Sequence, residues 1–116
     1  MNRLFTFLAI ALIFCAGNQT KVKAENMDRE IKLVQDWDKT FPKSENVNHE
    51  KVTFKTQYGL TLAADLYIPK NAEGKLPAIA VSGPFGAVKE QCSGLYAQTM
   101  AERGFITIAF DPSFTG

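Results

Sequence analysis

An α/β fold is predicted, in which an antiparallel hairpin leads into one parallel β-α-β unit. Three observations predict it. Between residues 52 and 68 the apolar side chains recur with a period of two. Residues 78–81 and 105–110 are instead continuous apolar runs. A stretch with helical spacing separates those two runs. Alternation marks strands with one polar face, and unbroken apolar runs mark strands inside a layered sheet.

The elements follow in chain order. Asn26 to Trp37 reads as a short helix, with Asn26 or Asp28 as its cap and Ile31, Val34 and Trp37 on one face. Phe41-Pro42 ends it, and residues 45–50 read as a polar linker. Val52 and Phe54 then alternate with polar neighbours. Gln57-Tyr58-Gly59 is a turn signal, and Leu60, Leu62, Ala64, Leu66 and Ile68 alternate after it up to Pro69. Residues 78–81 (AIAV) form the first strand of the parallel pair and end in Ser82-Gly83-Pro84-Phe85-Gly86. Residues 90–103 are the crossover helix, with Cys92, Leu95, Tyr96, Thr99 and Met100 assigned to its buried side. Gly104 suits the position just past the helix end. Residues 105–110 (FITIAF) are the second parallel strand, and Asp111-Pro112 closes it. A connection of this length makes a right-handed crossover.

Composition narrows the function classes. With 46% hydrophobic and 22% charged residues the chain is an ordinary globular sequence. A formal net charge of +1 gives no basic footprint for nucleic acid. The first residues differ from the rest. Arg3 precedes a charge-free apolar run at residues 4–16 (LFTFLAIALIFCA), and Val22 and Ala24 place small residues before Glu25. This is the pattern of a secretory signal peptide over residues 1–24, cut near Ala24. The run is shorter than the roughly 20 residues of a membrane span. An uncleaved anchor and a lipoprotein signal using Cys15 are the alternatives left open. The expected location is periplasmic or extracellular, with membrane contact only during export. Loss of Cys15 with the leader leaves Cys92 alone, so the mature chain holds no internal disulfide.

Three segments in this order resemble the opening of the α/β-hydrolase superfamily, closest to secreted bacterial members near dienelactone hydrolases and the peptidase S15-like group. They are Tyr58-Gly59-Leu60 through Leu66-Tyr67-Ile68-Pro69, then Gly83-Pro84-Phe85-Gly86-Ala87-Val88-Lys89-Glu90-Gln91, then Ala101-Glu102-Arg103-Gly104-Phe105 with its strand and Asp111. The resemblance covers residues 50–116. It implies a partial α/β-hydrolase sheet, with the second parallel strand inserted between the hairpin and the first. Domain organisation is then a leader at 1–24, an N-terminal helix and linker at 25–49, and a truncated hydrolase domain at 50–116.

The resemblance also implies a site. In that family the loop after the third strand gives one oxyanion-hole donor, a backbone N–H aimed where charge develops. Pro84 has no N–H, so the amide of Phe85 is the expected donor and Gly86 the second choice. At Gly83 the family often carries His. The nucleophile elbow, the acid and the catalytic His follow later in the family's chain order, and no such motif occurs in these residues. The chain alone is therefore expected to be inactive, the complete protein hydrolysing a small ester or amide through an acyl-enzyme. The alternative is a small secreted binding or interaction module without catalysis.

The remaining candidates read as structural. His49 is expected as a surface residue of the linker, Cys92 as a buried small hydrophobe, Lys89 and Glu90 as solvating the helix start, and Asp111 as a turn-former before Pro112. Ser82 and Ser93 have no visible base. No metal-ligand spacing and no nucleotide-binding glycine pattern occurs, so no cofactor is expected. Residues 78–82 are expected to present a bare apolar edge, and one sheet face to lack cover. The isolated chain should then be marginally stable, self-associating or degraded. Sedimentation tests this, and a sharply melting monomer at all concentrations would contradict it.

Overall fold

The computed structural model describes residues 31–115. The expected leader at residues 1–24, and residues 26–30 of the helix expected over 26–37, lie outside those residues. Four strands and one helix follow: β1 (Val47–Lys55), β2 (Thr61–Pro69), β3 (Ala78–Ser82), α1 (Cys92–Glu102) and β4 (Ile106–Phe110). They form one mixed sheet in the order β1-β2-β4-β3. β1 and β2 pair antiparallel, β2 and β4 pair antiparallel, and β3 and β4 pair parallel. The α/β arrangement of a hairpin feeding a parallel β-α-β unit is thus present, with β4 between the hairpin and β3.

Register sorts the side chains by face, because directly paired residues share one. His49, Tyr67, Thr107 and Ile79 line up across the four strands, as do Lys51, Asp65, Ala109 and Val81. α1 packs on this face, where the Thr107 hydroxyl donates to the Ala97 carbonyl at 2.8 Å. Val47, Tyr67, Ala97, Ala101 and Ala109 form the core here, with Trp37 and Val81 against it. The other face carries Phe54 and Leu62, Leu66 and Ile108, and Ile68 and Phe110. Among the described residues no helix covers it, and β3 is a half-exposed edge strand, as expected.

The hairpin turn obeys local chemistry. The Gly59 amide donates to the Thr56 carbonyl at 3.0 Å, and Gly59 sits at φ +78°, where a Cβ is costly. The helix ends in a Schellman motif, with the Gly104 amide on the Ala101 carbonyl and the Phe105 amide on that of Met100. Gly104 takes φ +96°, as its position past the helix end requires.

Three expectations are corrected. Residues 31–37 are not helical. Gln35 instead uses its side-chain amide like a strand neighbour, donating to the Lys51 carbonyl at 3.0 Å and accepting from the Lys51 amide at 2.9 Å. Ile31 and Val34 are exposed, so their spacing marks no buried stripe. The linker is also shorter than residues 45–50. β1 begins at Val47, because Val47 and His49 point into the core between the exposed Asn48 and Glu50.

The third correction concerns the helix. It starts at Cys92 and buries Ser93, Gly94, Ala97, Gln98 and Ala101. Leu95, Tyr96 and Cys92 are exposed and Thr99 and Met100 half-buried. Close approach decides the face. A Cβ on Gly94 would lie 2.2 Å from the Lys89 carbonyl oxygen, 3.1 Å from Phe41 and 3.2 Å from the Tyr67 hydroxyl. Gly94→Ala should therefore destabilise the chain despite better helix propensity. Propensity gains about 1 kcal/mol, whereas overpacking costs about 1–3 kcal/mol, and a backbone oxygen at that distance cannot yield cheaply. Urea unfolding checks it, and an unchanged or raised midpoint would contradict the packing described.

Candidate active-site loop and the buried charge network

The C-terminal ends of β3 and β4 lie side by side, with Ser82 paired to Phe110. The loop after β3 begins there. Its Ala87 amide donates to the Pro84 carbonyl at 3.1 Å, and Gly86 sits at φ +81°. A bond from the fourth residue to the first, with a left-handed third residue, defines a type II turn. Such a turn uses only the last amide internally. The amides of Phe85 and Gly86 make no hydrogen bond among the described residues. The Phe85 ring is fully exposed. A Cβ at Gly83 would stand 3.4 Å from the Ser93 hydroxyl, so the loop runs closely over the start of α1. Turns separate Gly86 from the helix, which starts two residues later than expected. The helix dipole fades within the first turn, so any anion affinity here rests on the two loop amides.

Lys89 and Asp111 fix the end of this loop. Asp111 is buried at the end of β4. Its Oδ1 accepts the Lys89 backbone amide at 2.8 Å, and its Oδ2 accepts Lys89 Nζ at 2.9 Å. Lys89 Nζ also reaches Glu90 at 2.6 Å. Burial works against the ammonium charge, but the bonds to Asp111 and Glu90 outweigh it and carry Lys89 up to about 12. Asp111 is thus more than a turn-former and Lys89 more than a solvating residue. Two open cavities of about 210 Å³ meet at Lys89, one beside Asp38, Lys51 and Glu90 and the other beside Leu62, Asp111 and Phe114.

A second polar group lies under the N-terminal segment. His49, expected at the surface, keeps only 4% of its side chain exposed, and its Nε2 lies 2.7 Å from Asp65 Oδ1. Lys39 Nζ reaches the same oxygen at 2.9 Å, and both side chains of that pair are fully buried. Asp38 bridges Lys39 to Lys51. Trp37 stands edge-on to His49, and its Nε1 donates to the Phe41 carbonyl at 2.8 Å. Residues 35–44 are therefore a strap, held also by Gln98, which donates to the Pro42 carbonyl and accepts from the Ser44 amide. Asp65 Oδ2, the Tyr67 hydroxyl and the Ser93 hydroxyl are buried without a hydrogen bond among the described residues. Burial, and next the charge of Asp65, push the Tyr67 phenol far above its usual range, so it stays protonated.

The Asp65 carboxyl follows the opposite sense. Burial opposes its charge, but His49 and Lys39 win and hold it below the ordinary carboxylate range. A depressed folded value means stability that is complete above the unfolded value, near pH 4, and lost as pH falls through the folded value. The chain should lose stability below about pH 4, and Asp65→Asn should flatten that acid limb. Denaturation midpoints between pH 7 and pH 2 check this. A limb equally steep in the variant would assign it to other carboxylates.

The Phe85 and Gly86 amides lie in the turn after β3. His49 and Cys92 do not come together with them in any nucleophile–base pair, since Cys92 is exposed on α1 and His49 is committed to Asp65. Among the described residues no cluster of His, Cys, Asp and Glu could hold a metal ion, and no described helix is long and apolar enough to cross a membrane. The His49–Asp65–Lys39 network escaped the sequence reading, the alternation of Val47 and His49 being its single local signal.

No family model matches the chain. It is similar to the uncharacterized protein PA2218 of Pseudomonas aeruginosa, at 60% identity over 116 aligned residues that cover 94% of this chain and 31% of that protein. It is also similar to the uncharacterized protein YcjY of Escherichia coli K12, at 40% identity over 72 residues, covering 59% of this chain and 24% of that one. The crystal structure of the hypothetical protein PA2218 superposes with a TM-score of 0.70 at 72% identity, over 73% of this chain and 27% of that one. The chain spans less than a third of the length of these relatives.

Proposed function

We propose that this chain is the opening segment of an exported α/β-hydrolase of dienelactone-hydrolase-like type, whose loop at residues 83–86 gives one backbone donor to the oxyanion of acyl transfer. The observation that carries the reading is the turn at residues 84–87. It leaves two adjacent amides without partners at the C-terminal edge of a parallel strand pair, where sheets of this kind keep their sites. Phe85 is the first choice for that donor and Gly86 the second choice. The strand order β1-β2-β4-β3 supports the reading, being the order expected for the start of a hydrolase sheet, and so does similarity to proteins more than three times as long.

In this reading the nucleophile (Ser or Cys), the acid and the His come from residues beyond Gly116, and the chain alone does not turn over substrate. The nucleophile attacks the carbonyl carbon of an ester or amide, the carbonyl oxygen becomes an oxyanion, and the Phe85 amide donates to it. The leader at residues 1–24 takes the protein out of the cytoplasm. Determining the reading frame past the codon for Gly116 tests the proposal. An elbow motif, then an acid and a late His, is the expected result. A stop codon there, with a product that accumulates folded, would replace it with the small secreted binding module.

A further inference from the structure

We propose that Lys89 and Asp111 are positioning residues for the Phe85 and Gly86 amides, clasping the loop after β3 to the end of β4. Its catalytic consequence rests on the hydrolase reading, and its structural one does not. A type II turn has one internal bond, here 3.1 Å from Ala87 to Pro84, and one exposed bond holds a turn weakly. The orientation of two free amides must therefore be set from outside the turn. The contacts available are few. The Glu90 carbonyl accepts from the Thr40 amide at 3.0 Å and its hydroxyl at 3.3 Å, which ties down the far end of the loop. Asp111 acts closer, at Lys89, three residues after Gly86.

The form of the clasp suits positioning. Main chain and side chain of one residue donate to the two oxygens of one carboxylate. One bond would fix a distance, whereas two in this arrangement also fix the direction of the backbone at Lys89. Both are charge-assisted, the stronger and shorter class of hydrogen bond. The pair is largely shielded, with 12% and 8% of the side chains exposed. Its anchor is the end of β4, a strand paired on both sides. Lys89 also touches Glu90, so loss of Asp111 leaves the ammonium a partner but releases the backbone amide.

Ala87 is the reporter, because its amide closes the turn and touches neither clasp residue. In this chain, Asp111→Ala should speed amide exchange at Ala87 roughly tenfold, with the paired amides of β2 and β4 unchanged. Lys89→Met, which keeps the backbone bond, should give a smaller effect, and Lys89→Arg should restore protection. Unchanged exchange at Ala87 in folded Asp111→Ala overturns the proposal. If that variant fails to fold, Asp111→Asn and Lys89→Met read at the same amide decide it. In the complete polypeptide, Asp111→Ala should lower kcat for a p-nitrophenyl ester by about 10²-fold with KM unchanged, and an equal loss in kcat for Lys89→Arg would contradict positioning. Absence of any esterase activity in the unsubstituted polypeptide would sink the hydrolase reading while the Ala87 result still judged the clasp.

Discussion

Phe85→Pro in the complete polypeptide is expected to lower ester turnover by about 10²–10³-fold, the loss that follows removal of one oxyanion donor. The substitution isolates the amide. Phe85 is the second residue of a type II turn, whose φ near −60° is the value proline imposes. The turn bond runs between Pro84 and Ala87, so it survives. The preceding Pro84 is the first residue of the turn and can stay extended, as a residue before proline prefers. Only the N–H is lost. Phe85→Ala is the matched control, since the ring is fully exposed and its removal costs the fold little. The control should keep kcat within about threefold, as surface changes usually perturb little. Steady-state kinetics of both variants checks it, and equal losses in the two would assign the effect to the ring rather than the amide.

The second large effect concerns stability. Asp65→Ala should cost about 3–5 kcal/mol, the range for breaking a buried ion pair from one side. That is a large share of the roughly 5–15 kcal/mol that holds a domain folded. Lys39 would be left fully buried with Asp38 as its one ion-pair partner among the described residues, and His49 would lose its acceptor. The strap of residues 35–44 should loosen first, because Lys39 and Trp37 hold it to β1 and β2. Adding Lys39→Met should recover part of the loss, since removing both charges spares the cost of an unpaired one. Urea unfolding of the single and double variants makes the cycle. Strict additivity would mean that Lys39 and Asp65 are energetically independent despite their 2.9 Å contact.

Much of this architecture is legible in the residues. The change from alternation to continuous apolar runs announces the hairpin and then β3 and β4, and Gly104 marks the helix end. Pro84-Phe85-Gly86 carries turn chemistry, so the free amides follow from local preference alone. What escapes the sequence is set by register and by size. The helix face is chosen by Gly94, Ala97 and Ala101, whose value is that they are small, and a hydrophobic count favours Leu95 and Tyr96 instead. His49 and Asp65 are 16 residues apart, and only strand pairing brings them onto one face. Lys89 and Asp111 are 22 apart, and meet because β3 and β4 run parallel and end together. Gln35 misleads for a related reason. Its partner is the backbone of β1, which no local window contains.

The most direct test of the hydrolase reading is covalent labelling of the complete, folded polypeptide with a fluorophosphonate or an activated thiol-directed ester. The expected result is one adduct per chain, on a Ser or Cys C-terminal to Gly116, formed at least tenfold more slowly in Phe85→Pro. A folded polypeptide that takes up no label and hydrolyses no ester would contradict it, and the loop at residues 83–86 would then be a turn with two unused amides.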